Sequence, residues 1–322
     1  MDDPEAPLLS TVPPTWTTIL TPITSLSPLS RLLLFALVFT LILINFCFFR
    51  LAAVLNRDPI YRRPRSPSDN PPHLLIVLGS GGHTAEMLNI LGQYRRLQHD
   101  WPQRTYVVSS GDDFSASKAR EFENNMSSKL DKGDPSGGGD PALLVGPTAT
   151  GYDIITVHRA RRVHQTLLTT PLSSLRCLWD CIKLLRGTHP DFCPRIAGDH
   201  SSRPSTPDLI LTNGPGTGVI VILASIILLF FGVAGPSASL PRSKKVMKHD
   251  TGVGDASANR IGQMRSIYIE SWARVRTLSL SGRLLKPLVD RFLVQWPQLV
   301  EKETAGAGAR TGRVEFVGSL VT

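Results

Sequence analysis

The sequence predicts an α/β protein: a doubly wound parallel sheet preceded by an N-terminal transmembrane helix. Three features carry this expectation. An uncharged run, Leu32 to Phe49, lies between Arg31 and Arg50. Beyond it, short apolar runs of β character alternate with longer helical runs. Two of those short runs lead directly into glycine-rich turns followed by helices. The 322 residues suit one large domain or two small ones. With 42% hydrophobic and 19% charged residues, the chain has ample apolar material for a core and is not wholly disordered. The four cysteines, Cys47, Cys177, Cys181 and Cys193, form no CxxC pair, so neither a disulfide framework nor a zinc cluster is indicated, and the soluble part is expected to face a reducing compartment.

Leu32 to Phe49 is just long enough to cross the hydrocarbon core as a helix. A cleaved signal peptide is the competing reading, but the apolar stretch is long for one, no small-residue cleavage site follows, and about 30 residues precede it. Arg50, Arg57, Arg62, Arg63 and Arg65 follow the span, whereas only Arg31 precedes it together with Asp2, Asp3 and Glu5. The positive-inside bias therefore places the large C-terminal part in the cytosol. Residues 50–72 read as a basic, proline-rich linker and residues 73–322 as the folded lobe.

Six strands are expected in order: Leu74 to Leu78, Arg104 to Ser109, Asp153 to Val157, Asp208 to Leu211, Ser266 to Ile269 and Arg291 to Gln295. Helices are expected after the first strand, ending near Gln98; from Asp112 to Asn125; from about Leu172 to Leu185; and behind the fourth strand. This last helix, Val219 to Ala234, is apolar enough to suggest a second span. It follows a strand and the turn-rich TNGPGTG, however, and a crossing here would split the βα pattern, so it reads as a buried or membrane-lying helix. Strands apolar on both faces, alternating with helices, indicate an open parallel sheet of Rossmann type. Mobile insertions are expected near 127–141, 189–207, 242–263 and 301–313, where the composition cannot bury enough apolar area to offset ordering.

In such a sheet the chemistry lies at the carboxyl ends of the strands. After the first strand, Gly79-Ser80-Gly81-Gly82 opens a helix, and the free N–H groups and positive dipole end there form an anion site. A Walker A loop would need Lys before Ser/Thr, where His83-Thr84 stands. A dinucleotide fingerprint would want a third glycine near Thr84 and an acidic residue at the tip of the second strand, where Ser109-Ser110-Gly111 stands. NAD and ATP are therefore disfavoured. His83, in the first helical turn, is expected to be neutral and able to take a proton or donate one N–H to an oxyanion, or else simply to order the loop. Glu86 is placed to cap the loop or to orient His83. Arg159, Arg161 and Arg162 follow the third strand as either a diphosphate clamp or a solvated cationic face. Asn213-Gly214-Pro215-Gly216-Thr217-Gly218 repeats the glycine-to-helix arrangement after the fourth strand. Glu270, after the fifth, is placed to accept from a sugar hydroxyl or to pair with Arg274.

GSGGHTAEM, GDDFSASKA, RARRVHQ, TNGPGTG, YIESWARV and FLVQWPQL, in this order from about Leu74 to the C-terminus, resemble the asparagine-linked-glycosylation fourteen family. The resemblance implies the membrane-anchored subunit of the enzyme that adds the second N-acetylglucosamine to dolichyl-diphosphate-N-acetylglucosamine. It implies one lobe of a two-lobed (GT-B type) glycosyltransferase, similar to the acceptor-binding half of the bacterial lipid-linked N-acetylglucosaminyltransferase. The donor lobe for UDP-N-acetylglucosamine would be a separate soluble protein, the family thirteen subunit, and this chain alone would be inactive. The implied location is the endoplasmic reticulum membrane, with the nuclear envelope continuous with it, and residues 1–31 are then a lumenal tail.

The implied reaction is an inverting displacement at the sugar C1 by the acceptor 4-hydroxyl. His83, with Glu86, is expected to supply the base or to contact the acceptor diphosphate. Gly79, Ser80, Gly81, Gly82, Thr84, Arg159 and Arg161 are expected to bind that diphosphate, and Asn213, Gly214, Gly216, Thr217 and Glu270 to shape the sugar pocket. No DxD triplet occurs, so no divalent metal is indicated, and no cofactor is expected. Two other classes stay open: a non-catalytic recruiter of the soluble subunit, and a complete single-chain transferase, for which the chain after the anchor is short. The net charge of +9 resides in juxtamembrane arginines and scattered loops without an aromatic-interleaved stripe, which argues against nucleic acid as a partner. The apolar tail Val314 to Val321 either joins its own sheet or meets the soluble subunit.

Overall fold

The computed structural model describes residues 27–57, 71–131, 151–161, 170–192, 206–214, 216–233, 262–305 and 314–320. The chain divides into two compact units, Met1–Ala53 and Val54–Thr322.

The first unit is dominated by helix α1, Pro28–Leu55, which runs on into the start of the second. Its start is written in the sequence: the Ser27 hydroxyl accepts from the Ser30 N–H at 3.2 Å, and Pro28 occupies the first helical position, where a missing N–H costs nothing. Its 28 residues extend about 42 Å, more than the roughly 30 Å hydrocarbon core, so the helix is long and apolar enough to cross a membrane. Within the apolar stretch, Thr40 Oγ1 donates to Ala36 O at 2.7 Å and Asn45 Nδ2 to Leu41 O at 2.9 Å. Each side chain thus donates to a carbonyl one turn below, within the apolar helix itself.

The second unit contains a sheet of seven strands: β1 His73–Val77, β2 Gln103–Ser109, β3 Gly151–Val157, β4 Leu209–Thr212, β5 Arg265–Ile269, β6 Arg291–Val294 and β7 Val314–Phe316. All pairings are parallel, in the spatial order β3-β2-β1-β4-β5-β6-β7. Central β1 pairs with β2 and β4 in matched register, with Ile76 opposite both Tyr106 and Leu211, and all five of its residues are buried. That is why this run reads as continuously apolar rather than alternating.

The helices form two layers. On one face α2 (Gly82–Gln93) and α4 (Asp113–Asp131), with the short α3 (Leu97–Asp100) between them in sequence, cover Leu74, Ile76, Tyr106, Val108 and Ile269. On the other, α5 (Thr170–Leu185), α6 (Thr217–Phe230), α7 (Leu280–Leu285) and α8 (Pro297–Ala305) cover Leu75, Val77, Val107, Ile155, Ile210 and Phe292. Odd and even strand positions thus feed separate cores, the period-two rule of a pleated sheet. Tyr268 and Phe292, opposite one another on β5 and β6, stack at 5.2 Å.

The expected doubly wound architecture is present, with boundary differences. The first helix stops at Gln93, because Tyr94 takes an extended conformation while its N–H closes onto Leu91 O. Helix α4 continues to Asp131, so residues 127–131 are helical. His189 is buried and residues 301–305 are helical, so the insertions expected at 189–207 and 301–313 begin in ordered chain; most of the four stretches lies outside the described residues. Helix α6 buries eight of its 14 residues in the sheet's core and is about 21 Å long, too short to span a bilayer. The tail from Val314 enters its own sheet, with Val314 opposite Phe292.

Polar ties lock the layers and edges. At the amino end of the sheet, Asp290 accepts from Arg57 Nη2 at 2.9 Å, Arg265 Nη1 at 2.8 Å and the Ser266 N–H at 2.9 Å. The His73 N–H donates to Asp208 Oδ2 at 3.0 Å across 135 residues of sequence. Beneath α4, Arg104 and Glu123 form a bidentate pair with both bonds at 2.7 Å, and the Tyr106 hydroxyl donates to the same carboxylate at 2.7 Å. Burial alone would lower the Arg104 pKa; the Glu123 carboxylate outweighs it and holds the guanidinium above its usual range. With both side chains 1% exposed, removal of one partner strands the other's charge in the core. Glu123→Ala is therefore expected to destabilise the protein by about 3–5 kcal/mol in denaturant titrations, and the double replacement Arg104→Met/Glu123→Met by less than the sum of the two single ones.

Candidate functional site

The connection from β1 through β2 to β3 runs outward to one side of the sheet, and the chain then returns to β4 on the other side of β1. The crevice between β1 and β4 is the topological switch point, where the loops at the strand ends splay apart. Both glycine-rich loops lie there. A Cβ on Gly79 would stand 2.7 Å from His83 Cβ and 3.1 Å from Gly214 Cα, and one on Gly214 would stand 2.8 Å from Gly79 Cα. The two backbones touch, and only glycine permits the contact at either position. Gly218 in turn lies where a Cβ would be 2.4 Å from Thr212 Oγ1, so the first turn of α6 packs on the tip of β4.

Gly81 and Gly216 sit immediately before α2 and α6 with φ of 60° and 71°, a left-handed conformation that favours glycine, and neither helix start is capped by a side chain. Open space surrounds both glycines. Two helix N-termini, each with first-turn amides that have no partner inside the helix, therefore face one crevice.

The side chains around this crevice are tied to one another and partly unsatisfied. Asn213 Nδ2 donates to His83 O at 2.8 Å, joining the two loops, while Asn213 Oδ1 is buried without a hydrogen-bond partner. His83, half-buried, places Nδ1 3.8 Å from Glu86 Oε2, beyond hydrogen-bond length, and that nitrogen has no other partner. Thr212 Oγ1 and Glu270 Oε1, at the ends of β4 and β5, are likewise buried and unpartnered. Such groups are costly to leave unmade. Their gathering at one strand edge is the signature of a site built to receive polar ligand atoms.

Glu86 is a structural tie. Its carboxylate accepts from the Trp272 N–H at 2.7 Å, Gln295 Nε2 at 2.7 Å and Ser271 Oγ at 3.1 Å, fastening α2 to the loops after β5 and β6. Burial would raise its pKa, but neighbouring His83 and these donors hold it below the ordinary value. Trp296 Nε1 donates to Trp272 O at 2.7 Å, and the two indoles pack 5.6 Å apart. Glu270 behaves oppositely: Oε2 is fixed by the Ser279 N–H and hydroxyl at 3.1 and 3.2 Å, yet burial pushes the carboxyl above its usual range. Thr84 faces inward, its hydroxyl bonded to Gly79 O and, at 2.7 Å, to Ser115 Oγ, so it supports the loop from beneath.

The structure thus brings together Gly79, Ser80, Gly81, Gly82, His83, Asn213, Gly214, Gly216 and Thr217 at the switch point; Pro215 and Arg162 lie outside the described residues. Ser109 Oγ and Thr217 Oγ1 meet at 2.7 Å, carrying the same edge to β2. Glu270 stands one strand further, and Arg159 and Arg161 follow β3, two strands or about 10 Å from β1. The Arg159 N–H is held by Ser110 Oγ at 3.1 Å. Glu86, expected to serve the loop or His83, also serves the distant loops of β5 and β6. Thr212, Ser115, Trp272 and Gln295 were given no role in the sequence reading; each lies within a motif that carries the family resemblance, but nothing local showed which partner it takes. Among the described residues no group of three or more His, Cys, Asp or Glu side chains is arranged to hold a metal ion.

Comparison with known proteins shows that residues 74–311 match the family described as oligosaccharide biosynthesis protein Alg14 like. The chain is 42% identical over 243 residues to the UDP-N-acetylglucosamine transferase subunit alg14 of Aspergillus fumigatus, covering 70% of this chain and 97% of that protein. It is 33% identical over 265 residues to the subunit of the same name from Schizosaccharomyces pombe, covering 82% and 90%. It is 32% identical over 229 residues to the one from Homo sapiens, covering 71% and 77%. Among solved structures, Acinetobacter baumannii MurG aligns with a TM-score of 0.37 at 11% identity, over 77% of this chain and 45% of that one, a likeness too distant to argue from.

Two outcomes follow from this geometry. Gly214→Ala places a methyl against the Gly79 backbone and is expected to cost about 1–3 kcal/mol, read as a lowered melting temperature. Glu86 has a folded-state pKa below its ordinary 4.5, so its contribution is complete above that pH and is lost as pH falls through the lowered value. Glu86→Gln should melt below wild type at neutral pH, and the difference should shrink as thermal melts are taken down to about pH 3.

Proposed function

This chain belongs to the Alg14 family, and on that premise we propose that it is the membrane subunit of a two-chain N-acetylglucosaminyltransferase. In this reading it binds a dolichyl-diphosphate-N-acetylglucosamine acceptor at the cytosolic face of the endoplasmic reticulum. A soluble partner, the family thirteen subunit, brings UDP-N-acetylglucosamine, and neither chain turns over alone. The observation that supports it most is the meeting of two uncapped helix N-termini at one crevice, with unpartnered buried polar atoms of His83 and Asn213 beside them, on a chain with a helix able to cross a membrane.

The diphosphate lies against the backbone N–H groups that open α2 and α6, where aligned peptide dipoles offset its charge. Arg159 and Arg161 reach it from the β3 loop. Asn213 Oδ1 and Glu270 Oε1 take hydroxyl and amide donors of the acceptor sugar, which repays the cost of burying them. The acceptor 4-hydroxyl attacks C1 of the donor sugar; the new C1–O bond forms as the C1–O bond to UDP breaks, with inversion. His83 takes the hydroxyl proton on Nε2, the ring nitrogen not turned to Glu86, and UDP leaves with the electron pair of the broken bond. Glu86, 3.8 Å away, stabilises the imidazolium so formed while its other contacts keep α2 in place. No step calls for a metal ion.

The test is transfer of labelled N-acetylglucosamine from UDP to a synthetic lipid-diphosphate acceptor, using the full chain in proteoliposomes, the soluble subunit, and both together. Activity is expected only in the mixture. In the mixture His83→Ala should lower kcat by about 10²–10⁴, and Arg159→Ala/Arg161→Ala should raise the acceptor KM with the donor KM unchanged. Intact turnover in His83→Ala would identify the chain as a recruiter without catalytic residues, and activity of the chain alone would place the donor site within it.

A further inference from the structure

Helix α5 has an outer face that nothing in the described structure covers. Cys177, Cys181, Leu184 and Leu185 point into the core, whereas Leu172, Leu175 and Trp179 are 58%, 61% and 60% exposed. At 100° per residue these three fall within one sector of about 60°, opposite the buried four. The same sector continues with Arg176 on its flank and Lys183 and Arg186 one and two turns on, and it contains no acidic side chain. Asp180, at its margin, is occupied by His158. The Lys183 ammonium lies 5.8 Å from the Trp179 ring centroid, so cation and indole form one unit. The helix is thus apolar at its amino end and cationic at its carboxyl end, on a chain of net charge +9.

Its placement gives the face a direction. Ser173 and Ser174 hydroxyls both donate to Ala160 O, at 2.9 and 3.2 Å, so the first turn of α5 sits beside the loop that carries Arg159 and Arg161. The apolar half therefore adjoins the carboxyl edge of the sheet, where the glycine loops meet.

We propose that this face of α5 docks on an anionic bilayer surface as an interfacial helix, a lipid contact separate from α1. Leu172, Leu175 and Trp179 enter the boundary between headgroups and acyl chains, the depth that indole prefers. Arg176, Lys183 and Arg186 meet lipid phosphates, their aliphatic stems lying along the apolar surface. An apolar patch with flanking cations, whose marginal carboxylate Asp180 is paired with His158, complements an anionic membrane, and α1, in the same chain, raises the concentration of bilayer around it. The contact turns the crevice toward the lipid surface.

Full-length chain is reconstituted into phosphatidylcholine vesicles with or without phosphatidylserine, the acyl chains brominated near the headgroup, and tryptophan emission is compared between wild type and Trp179→Phe. The difference spectrum isolates Trp179; an exposed aromatic-to-aromatic exchange leaves the fold intact, which matching circular dichroism checks. Brominated lipid is expected to quench the Trp179 contribution, and aqueous acrylamide to leave it unaffected. Phosphatidylserine should deepen the quenching in wild type and lose that effect in Arg176→Gln/Lys183→Gln/Arg186→Gln. Quenching by acrylamide but not by lipid would overturn the proposal. So would protection of Trp179 that arises only when the soluble subunit is added, which would assign the face to a protein partner instead.

Discussion

The backbone contact between Gly79 and Gly214 is the constraint on which the rest of the site depends. β1 and β4 are hydrogen-bonded neighbours, and the helices that follow them cover opposite faces of the sheet. Each loop must turn within a few residues, and a side chain on either glycine would push the helix starts apart. Because nothing intervenes, α2 and α6 begin side by side, and Asn213 can reach across to the His83 carbonyl. The pairing of two helix N-termini at the crevice is therefore a consequence of how closely two peptide units approach, more than of any charged side chain within it.

Around this contact the protein sorts its buried carboxylates into two kinds. Glu123 and Glu86 are surrounded by donors and serve as joints: one holds α4 to β2, the other gathers α2 and the loops of β5 and β6. Glu270 has donors on one oxygen alone and is starved on the other. A carboxylate that is fully coordinated resists change, whereas one left half-coordinated in a dry place has chemistry in reserve. The same contrast separates Thr84, whose hydroxyl is spent beneath the loop, from Thr212, whose hydroxyl is not.

How much of this was legible follows from the range of the interactions. The strands, the two glycine loops and the position of His83 rest on local signals: apolar runs, glycine before a helix, residue spacing within one turn. They emerge from the sequence with errors of a few residues, as where Tyr94 ends α2 early or α4 runs on to Asp131. The partners of Glu86 lie 185 to 209 residues away, and no local pattern announces them. Thr84 illustrates a different limit: its place after the glycine-rich loop was visible, but which way its hydroxyl turned depended on Ser115 from another helix. The face of α5 was hidden for the opposite reason, since its exposed leucines are indistinguishable in sequence from core ones.

The central position of β1 also bears on how the molecule is made. β1 is synthesised first, yet one of its two neighbours, β4, follows more than a hundred residues later, and the amide of His73 finds the Asp208 carboxylate across 135 positions. At elongation rates of about 5–20 residues per second, the middle of the sheet stands half-built for roughly 7–27 s on the ribosome. During that interval β1 can pair only with β2, and its far edge is an open template, apolar from Leu74 to Val77. Until β4 arrives that edge is open to other chains, so its protection bears on yield independently of the stability of the finished sheet.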